Sequence, residues 1–94
     1  MTPFKPVGTQ TTISSLSGAQ SVTVPANARG LLVQVFTQNV RVTVDGSTTP
    51  TASVGFQLRP NTDPVEIEAS EGSIVKFIEE TASATVQYQA IKNA

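Results

Sequence analysis

The chain of 94 residues contains no cysteine, no histidine and no tryptophan. Without cysteine it can form neither a disulfide bond nor a thiolate metal site, which are two common means of stabilising a small domain. Without histidine it cannot assemble a Ser-His-Asp or Cys-His nucleophile, a His-ligated zinc site or an imidazole general base. We therefore expect no enzymatic activity, no catalytic residue, no cofactor and no bound metal ion.

Charge and long apolar runs are also scarce. Six Lys and Arg residues against seven Asp and Glu give a formal net charge of −1, and the basic residues are spread singly along the chain. This distribution provides no basic patch that would follow a phosphate backbone, so we expect no nucleic-acid partner. No run approaches the roughly 20 apolar residues of a membrane-spanning helix, so we expect no membrane partner either.

The carboxylates do not form a recognisable catalytic or metal-binding motif. Glu66 and Glu68 project from one face of a predicted strand at a spacing that would suit a glycosidase-like acid and base, but alternating Glu residues on a strand are typical of a solvated face. Asp45, Asp63 and Glu71 do not belong to a D-x-D loop that supplies several oxygens from one turn. We interpret all five carboxylates as non-catalytic and as no metal site.

What the chain has in abundance is alternation of apolar and polar residues, which indicates β-strands. The runs "VRVTV", "VGFQLR", "VEIEA" and "ATVQYQA" each predict one buried face, and Phe56, Phe77 and Tyr88 are predicted core residues. The runs "LLVQVF" and "SIVKFIE" are apolar on both faces, as in central strands or strands covered by a neighbouring subunit. With "SVTV" and the weaker "TTISSL", the sequence predicts an all-β fold: a single small β-sandwich or jelly-roll-like domain over residues 11–94, with seven to eight short antiparallel strands.

The first ten residues interrupt this pattern, because Pro3, Pro6 and Gly8 suit neither periodicity. We predict that residues 1–10 form an extended N-terminal arm that docks on a neighbouring protein, with Phe4 and Pro6 among the contact residues; the alternative is a frayed chain end. A domain of this size buries only about 60–65% of its unfolded surface, and the two-faced runs add apolar surface. We therefore predict a homo-oligomer.

A loop rich in Ser and Thr separates the first two alternating runs. Asp45-Gly46 is a strong turn signal, which predicts a tight turn directly after the first run. The stretch "STTPTAS" that follows predicts a connection and a contact surface, in which we select four residues as partner-binding: Thr48, Thr49, Pro50 and Thr51.

Residues 22–89 contain a series of short motifs: "PA" at Pro25, "VR" at Val40, "DG" at Asp45, "PTAS-G" from Pro50, and "FIE" at Phe77 with a last strand containing Tyr88. This pattern resembles a group of small proteins encoded among the virion genes of tailed bacteriophages and prophages. The sequence departs from the group at residues 42–44, where the group has more polar or aromatic residues.

The resemblance implies a structural part of a phage particle, assembled in the bacterial cytoplasm and located in the virion. Such a protein would decorate or cement the capsid through contacts with the major capsid protein or other virion proteins, and we would then expect the homo-oligomer to be a trimer. The alternative is a tail or fibre accessory module that binds a host receptor or a glycan. The resemblance leaves both hypotheses open.

Overall fold

The computed structural model describes residues 3–94, in which eight β-strands and no helix are formed. The strands are β1 (Phe4–Ile13), β2 (Gln20–Thr23), β3 (Gly30–Phe36), β4 (Val40–Thr43), β5 (Phe56–Leu58), β6 (Val65–Glu68), β7 (Ile74–Glu79) and β8 (Thr85–Asn93). The prediction of an all-β domain with seven to eight short antiparallel strands is confirmed.

The strands form two four-stranded antiparallel sheets, one in the order β1-β8-β3-β6 and the other in the order β2-β7-β4-β5. This interleaving of early and late strands is the jelly-roll arrangement, in which two Greek keys are folded into a sandwich. β3 lies between β8 and β6, and β7 lies between β2 and β4, so the two runs that are apolar on both faces are central strands.

The core lies between the sheets because the alternating apolar side chains of both sheets point inward. Phe77, Leu31 and Val86 are fully buried, and they come from β7, β3 and β8. Tyr88 is half-buried and packs against this core. The predicted core positions of Phe77 and Tyr88 are therefore correct, whereas the third aromatic prediction, Phe56, is wrong and is described below.

The N-terminal segment is a strand and not a separate arm. Residues from Phe4 to Val7 pair with Asn93 to Ala90 of β8, and after an irregularity the pairing resumes from Thr11 to Ile13. The boundary predicted between residues 10 and 11 therefore falls inside β1, while Met1 and Thr2 of the predicted arm lie outside the described residues. Pro6 is compatible with this position because β1 is an edge strand, where one side of the backbone needs no ladder hydrogen bond.

The topology also separates the edges of the sandwich. β5 and β6 end their sheets on the same side, since residues of both strands line one cleft, and β1 and β2 end the sheets on the other side. The two groups of predicted contact residues, in β1 and in the loop before β5, consequently lie on opposite sides of the domain. No helix occurs in residues 3–94, and so none that is long and apolar enough to cross a membrane.

Candidate protein-contact surface

Phe56 is the most exposed large apolar side chain among the described residues, with 71% of its surface accessible. It is paired with Val42 on β4, which is in turn paired with Phe77 on β7. Directly paired residues project from the same face of a sheet, so Phe56 points in the same direction as these two core residues. It stays exposed because β5 is the last strand of its sheet, at the margin of the core.

Phe56 belongs to a small apolar surface. Val44 and Val54 are 39% and 44% exposed, and together with Phe56 they line an open groove of about 370 Å³. We call these three side chains the Phe56 surface. The remaining groove residues are Val42, Thr43, Asp45, Thr48 and Gly55.

The loop of residues 44–55 that builds this surface is held at its start by the carboxylate of Asp45. One carboxylate oxygen accepts hydrogen bonds from the backbone N–H groups of Ser47 and Thr48 at 3.1 and 2.8 Å, and the other accepts from the Thr48 hydroxyl at 2.7 Å. The Thr48 hydroxyl is the largest influence that lowers the pKa of Asp45, followed by the two backbone donors. Gly46 has φ +77°, a conformation that favours glycine, and the chain bends at residues 45–47; the predicted tight turn at Asp45-Gly46 is thus present only as a bend at the start of a long loop between β4 and β5.

The middle of the loop is held against the domain by a hydrogen bond and by a buried proline. The buried Thr43 hydroxyl donates to the Thr48 carbonyl at 2.8 Å, and Pro50 is fully buried. Thr51 and Val54 then exchange two backbone hydrogen bonds of 3.0 and 3.2 Å. This bridge fixes the turn that presents Val54 to solvent.

A polar cluster holds the end of the loop on the outer face of the sheet. The Arg41 guanidinium donates through Nε to a Glu80 carboxylate oxygen at 2.6 Å and through Nη1 to the Gly55 carbonyl at 2.9 Å. The Gln57 side-chain amide donates to the same Glu80 oxygen at 2.8 Å. The Gln57 amide is the first cause that lowers the pKa of Glu80, with further lowering by Arg41.

The four predicted contact residues of the loop differ in their exposure to solvent. Thr48, Thr49 and Thr51 are exposed on the loop beside the Phe56 surface, as expected of contact residues. Pro50 has less than 2% of its surface accessible, so the prediction that it meets a partner is corrected: a side chain buried within its own chain has no surface left to offer.

The two predicted contact residues of β1 lie elsewhere. Phe4 is half-buried opposite Asn93, and Pro6 is exposed opposite Ile91, both on the sheet edge remote from the loop. The structure therefore does not bring the six predicted contact residues together.

A second cleft is lined mostly by polar and charged residues. It has a volume of about 620 Å³ and is lined in part by Asn27, Arg29, Glu68, Glu71 and Asn93. Arg29 forms an ion pair of 3.1 Å with Glu66, whose side chain is only 13% exposed. The expectation of a solvated face thus holds for exposed Glu68 but not for Glu66. Within residues 3–94 no three or more His, Cys, Asp or Glu side chains are grouped so as to hold a metal ion.

Comparison with known proteins adds no relative, since no protein-family model, no curated protein and no solved structure matches this chain.

Proposed function

We propose that this protein is a non-enzymatic structural component of a tailed-phage particle that decorates or cements the capsid through protein-protein contacts. The observation that carries the proposal is the Phe56 surface, an apolar patch on a small domain with a rigidly held loop. Contiguous apolar surface of this kind is characteristic of sites that meet another protein. The proposed location is the virion, after assembly in the bacterial cytoplasm.

The residues behind the sequence resemblance support the same proposal. Asp45 and Gly46 form the bend that starts the loop, and Gly55 ends it beside Phe56. The motif "PTAS-G" thus belongs to the segment that builds the apolar surface, which gives it a role in presenting a contact site.

The small binding free energy expected from the Phe56 surface is compatible with a protein that attaches in many copies. Burial of one Phe side chain contributes roughly 1.5–3 kcal/mol, which is too little for tight binding by a single subunit. Contacts repeated over a symmetric lattice raise the overall affinity by avidity. A small patch is therefore sufficient for a protein that occupies every equivalent position of a capsid.

The copy number on purified particles tests the proposal. Particles from a culture that carries the gene are washed at high salt and separated on a gel, and the band of this 9.9 kDa protein is quantified against the major capsid protein. We expect a fixed ratio that corresponds to a lattice position of the capsid. A few copies per particle would favour the alternative, a receptor- or glycan-binding module of the tail, and absence from the particle would refute both.

Two matched variants test whether the copy number on particles depends on the Phe56 surface. Phe56→Ser removes the exposed ring, and Lys92→Ser changes an exposed residue of the other sheet. We expect Phe56→Ser to lower the copy number and Lys92→Ser to leave it unchanged. Equal copy numbers for both variants would show that the Phe56 surface takes no part in assembly on the particle.

A further inference from the structure

We propose that two copies of this chain pair edge to edge through β5, with a two-fold axis at Gln57. The inference rests on the proposed function and deepens it, because it assigns the Phe56 surface to contacts that link neighbouring copies on the particle and not to contacts with the major capsid protein. Among the described strands β5 is the last of its sheet and pairs only with β4, so its other side presents unpaired backbone groups. Such an edge is a template for another strand.

The residues around β5 are self-complementary in an antiparallel arrangement. If Gln57 lies opposite the partner's Gln57, then Phe56 lies opposite the partner's Leu58. Phe56 and Leu58 alternate with Gln57 within β5, so they share one face of the joint, whereas Val54 and Pro60 lie beyond the strand, before the bend at Gly55 and in the turn that begins at Pro60. Phe56 would then be covered by Leu58, which is only half-buried in the single chain.

The backbone agrees with this register. Val54 already uses its N–H and carbonyl groups in the bridge to Thr51, and Pro60 has no N–H group. Neither residue needs a ladder bond in the dimer, so the shared ladder consists of Phe56–Leu58 from each copy. A two-fold axis permits this isologous pairing, in which each residue repeats its contact on the other subunit.

The other sheet edge on this side is unsuited to self-pairing. Antiparallel pairing of β6 about Glu66 places two Glu66 carboxylates opposite each other, and pairing about Ile67 places Glu66 opposite the partner's Glu68. Like charges directly opposite each other destabilise a strand pair. β6 therefore does not compete with β5.

The remaining two edges lack a comparable apolar surface. β1 contains Pro6 and an irregularity in its register between Val7 and Thr11, which are features that protect an edge from pairing. On β2 the inward residue Val22 is only 7% exposed, so self-pairing would cover no further apolar side chain. Of the four edges, β5 alone combines a free backbone with a largely exposed aromatic ring.

Sedimentation of the purified full-length protein tests for the dimer. Because the shared ladder is only three residues long in each copy, we expect a reversible monomer-dimer equilibrium at micromolar or higher concentration. Phe56→Ser should weaken dimerisation at least about tenfold, since a buried Phe is lost from each copy, while Lys92→Ser should have no effect.

Cross-linking tests the register, and the absence of native Cys makes it unambiguous. Gln57→Cys places two thiols on the proposed axis, where opposite α-carbons are about 4.5–5.5 Å apart and a disulfide can form. Arg59→Cys is the matched control: residue 59 faces the partner's residue 55, so its two copies are separated by about 13 Å along the strands. We expect rapid oxidation to a covalent dimer for Gln57→Cys and little for Arg59→Cys.

The inference is overturned if the wild-type protein remains monomeric at several hundred micromolar, if it forms a trimer without dimers, or if Arg59→Cys cross-links as fast as Gln57→Cys. A monomer that is nevertheless present in fixed ratio on particles would refute the β5 pairing and leave the proposed function standing. A protein that dimerises in solution but is absent from particles would refute the proposed function and leave the β5 pairing standing.

Discussion

Substitution of Gly55 by alanine probes the element that positions Phe56. Gly55 has φ +122°, and a Cβ at this position would lie 3.0 Å from the Val42 carbonyl oxygen and 3.2 Å from its nitrogen. Both atoms belong to the backbone of β4, which is held between β5 and β7 and has little room to move. Gly55→Ala therefore combines an unfavourable backbone conformation with a steric conflict.

The magnitude follows from these two contributions. A residue other than glycine in a sparsely populated backbone region costs about 1–3 kcal/mol, and displacement of packed neighbours adds about 1 kcal/mol or more. The sum of roughly 2–4 kcal/mol is a large part of the roughly 5–15 kcal/mol that stabilises a domain. With a urea m-value of about 1–3 kcal/mol/M, the midpoint should fall by about 1 M or more.

Two other glycines serve as controls in the same urea titration. Gly46 has φ +77°, but its nearest contact to an added Cβ is an ordinary 3.9 Å, so Gly46→Ala should cost only the conformational part, about 1–2 kcal/mol. Gly18 has no such φ and nothing within 4 Å, so Gly18→Ala should leave the midpoint nearly unchanged. If Gly55→Ala behaves like Gly18→Ala, the close approach of the loop to β4 is refuted.

Three further predictions concern the supports of the fold and the loop. Hydrogen bonds from Gln57 and then Arg41 hold the pKa of Glu80 below its ordinary value of 4.5. The contribution of Glu80 to stability is therefore present above pH 4.5 and is lost as the pH falls through the lowered pKa. Unfolding measured as a function of pH should show this loss in the wild type and a smaller loss in Gln57→Leu. Thr43→Val removes the buried hydroxyl's bond to the loop and should lower the free energy of unfolding by about 1 kcal/mol in urea; an unchanged value would contradict the support given to the loop. Deletion of residues 1–9 removes residues 4–9 of the ten-residue strand β1 and should lower the Tm of the free domain, whereas an unchanged Tm would favour the arm that the sequence predicted.

The sequence predicts the strands well because alternation is a local signal. The apolar positions of "VRVTV", "LLVQVF" and "ATVQYQA" depend only on which residues share a face, and all three runs contribute strands to the sandwich. Alternation does not reveal whether another sheet covers that face. Phe56 is on the correct face, yet its strand lies at the margin of the core, so the prediction of burial fails.

The predictions for the N-terminal segment and for Pro50 also fail because they depend on the position of these residues in the fold and not on their neighbours in sequence. Pro3 and Pro6 break the alternation, but a proline is tolerated where a strand has a free edge, and only the topology shows that β1 is such a strand. Pro50 looks like a loop residue because its neighbours are Ser and Thr, and only the path of the loop places it in the interior. No local pattern distinguishes these cases from an arm or an exposed turn.

The polar supports of the loop bear directly on what the Phe56 surface does. Asp45 holds the beginning of the loop, Thr43 its middle, and Arg41 with Glu80 its end, so the apolar side chains are presented by a backbone fixed at three points. A mobile loop would lose conformational entropy on binding, whereas a fixed loop has already lost it during folding. Such preorganisation matters most for a weak contact formed many times, because every copy would otherwise incur the same entropy cost. The arrangement is therefore better suited to repeated assembly than to a loop that orders only around a ligand.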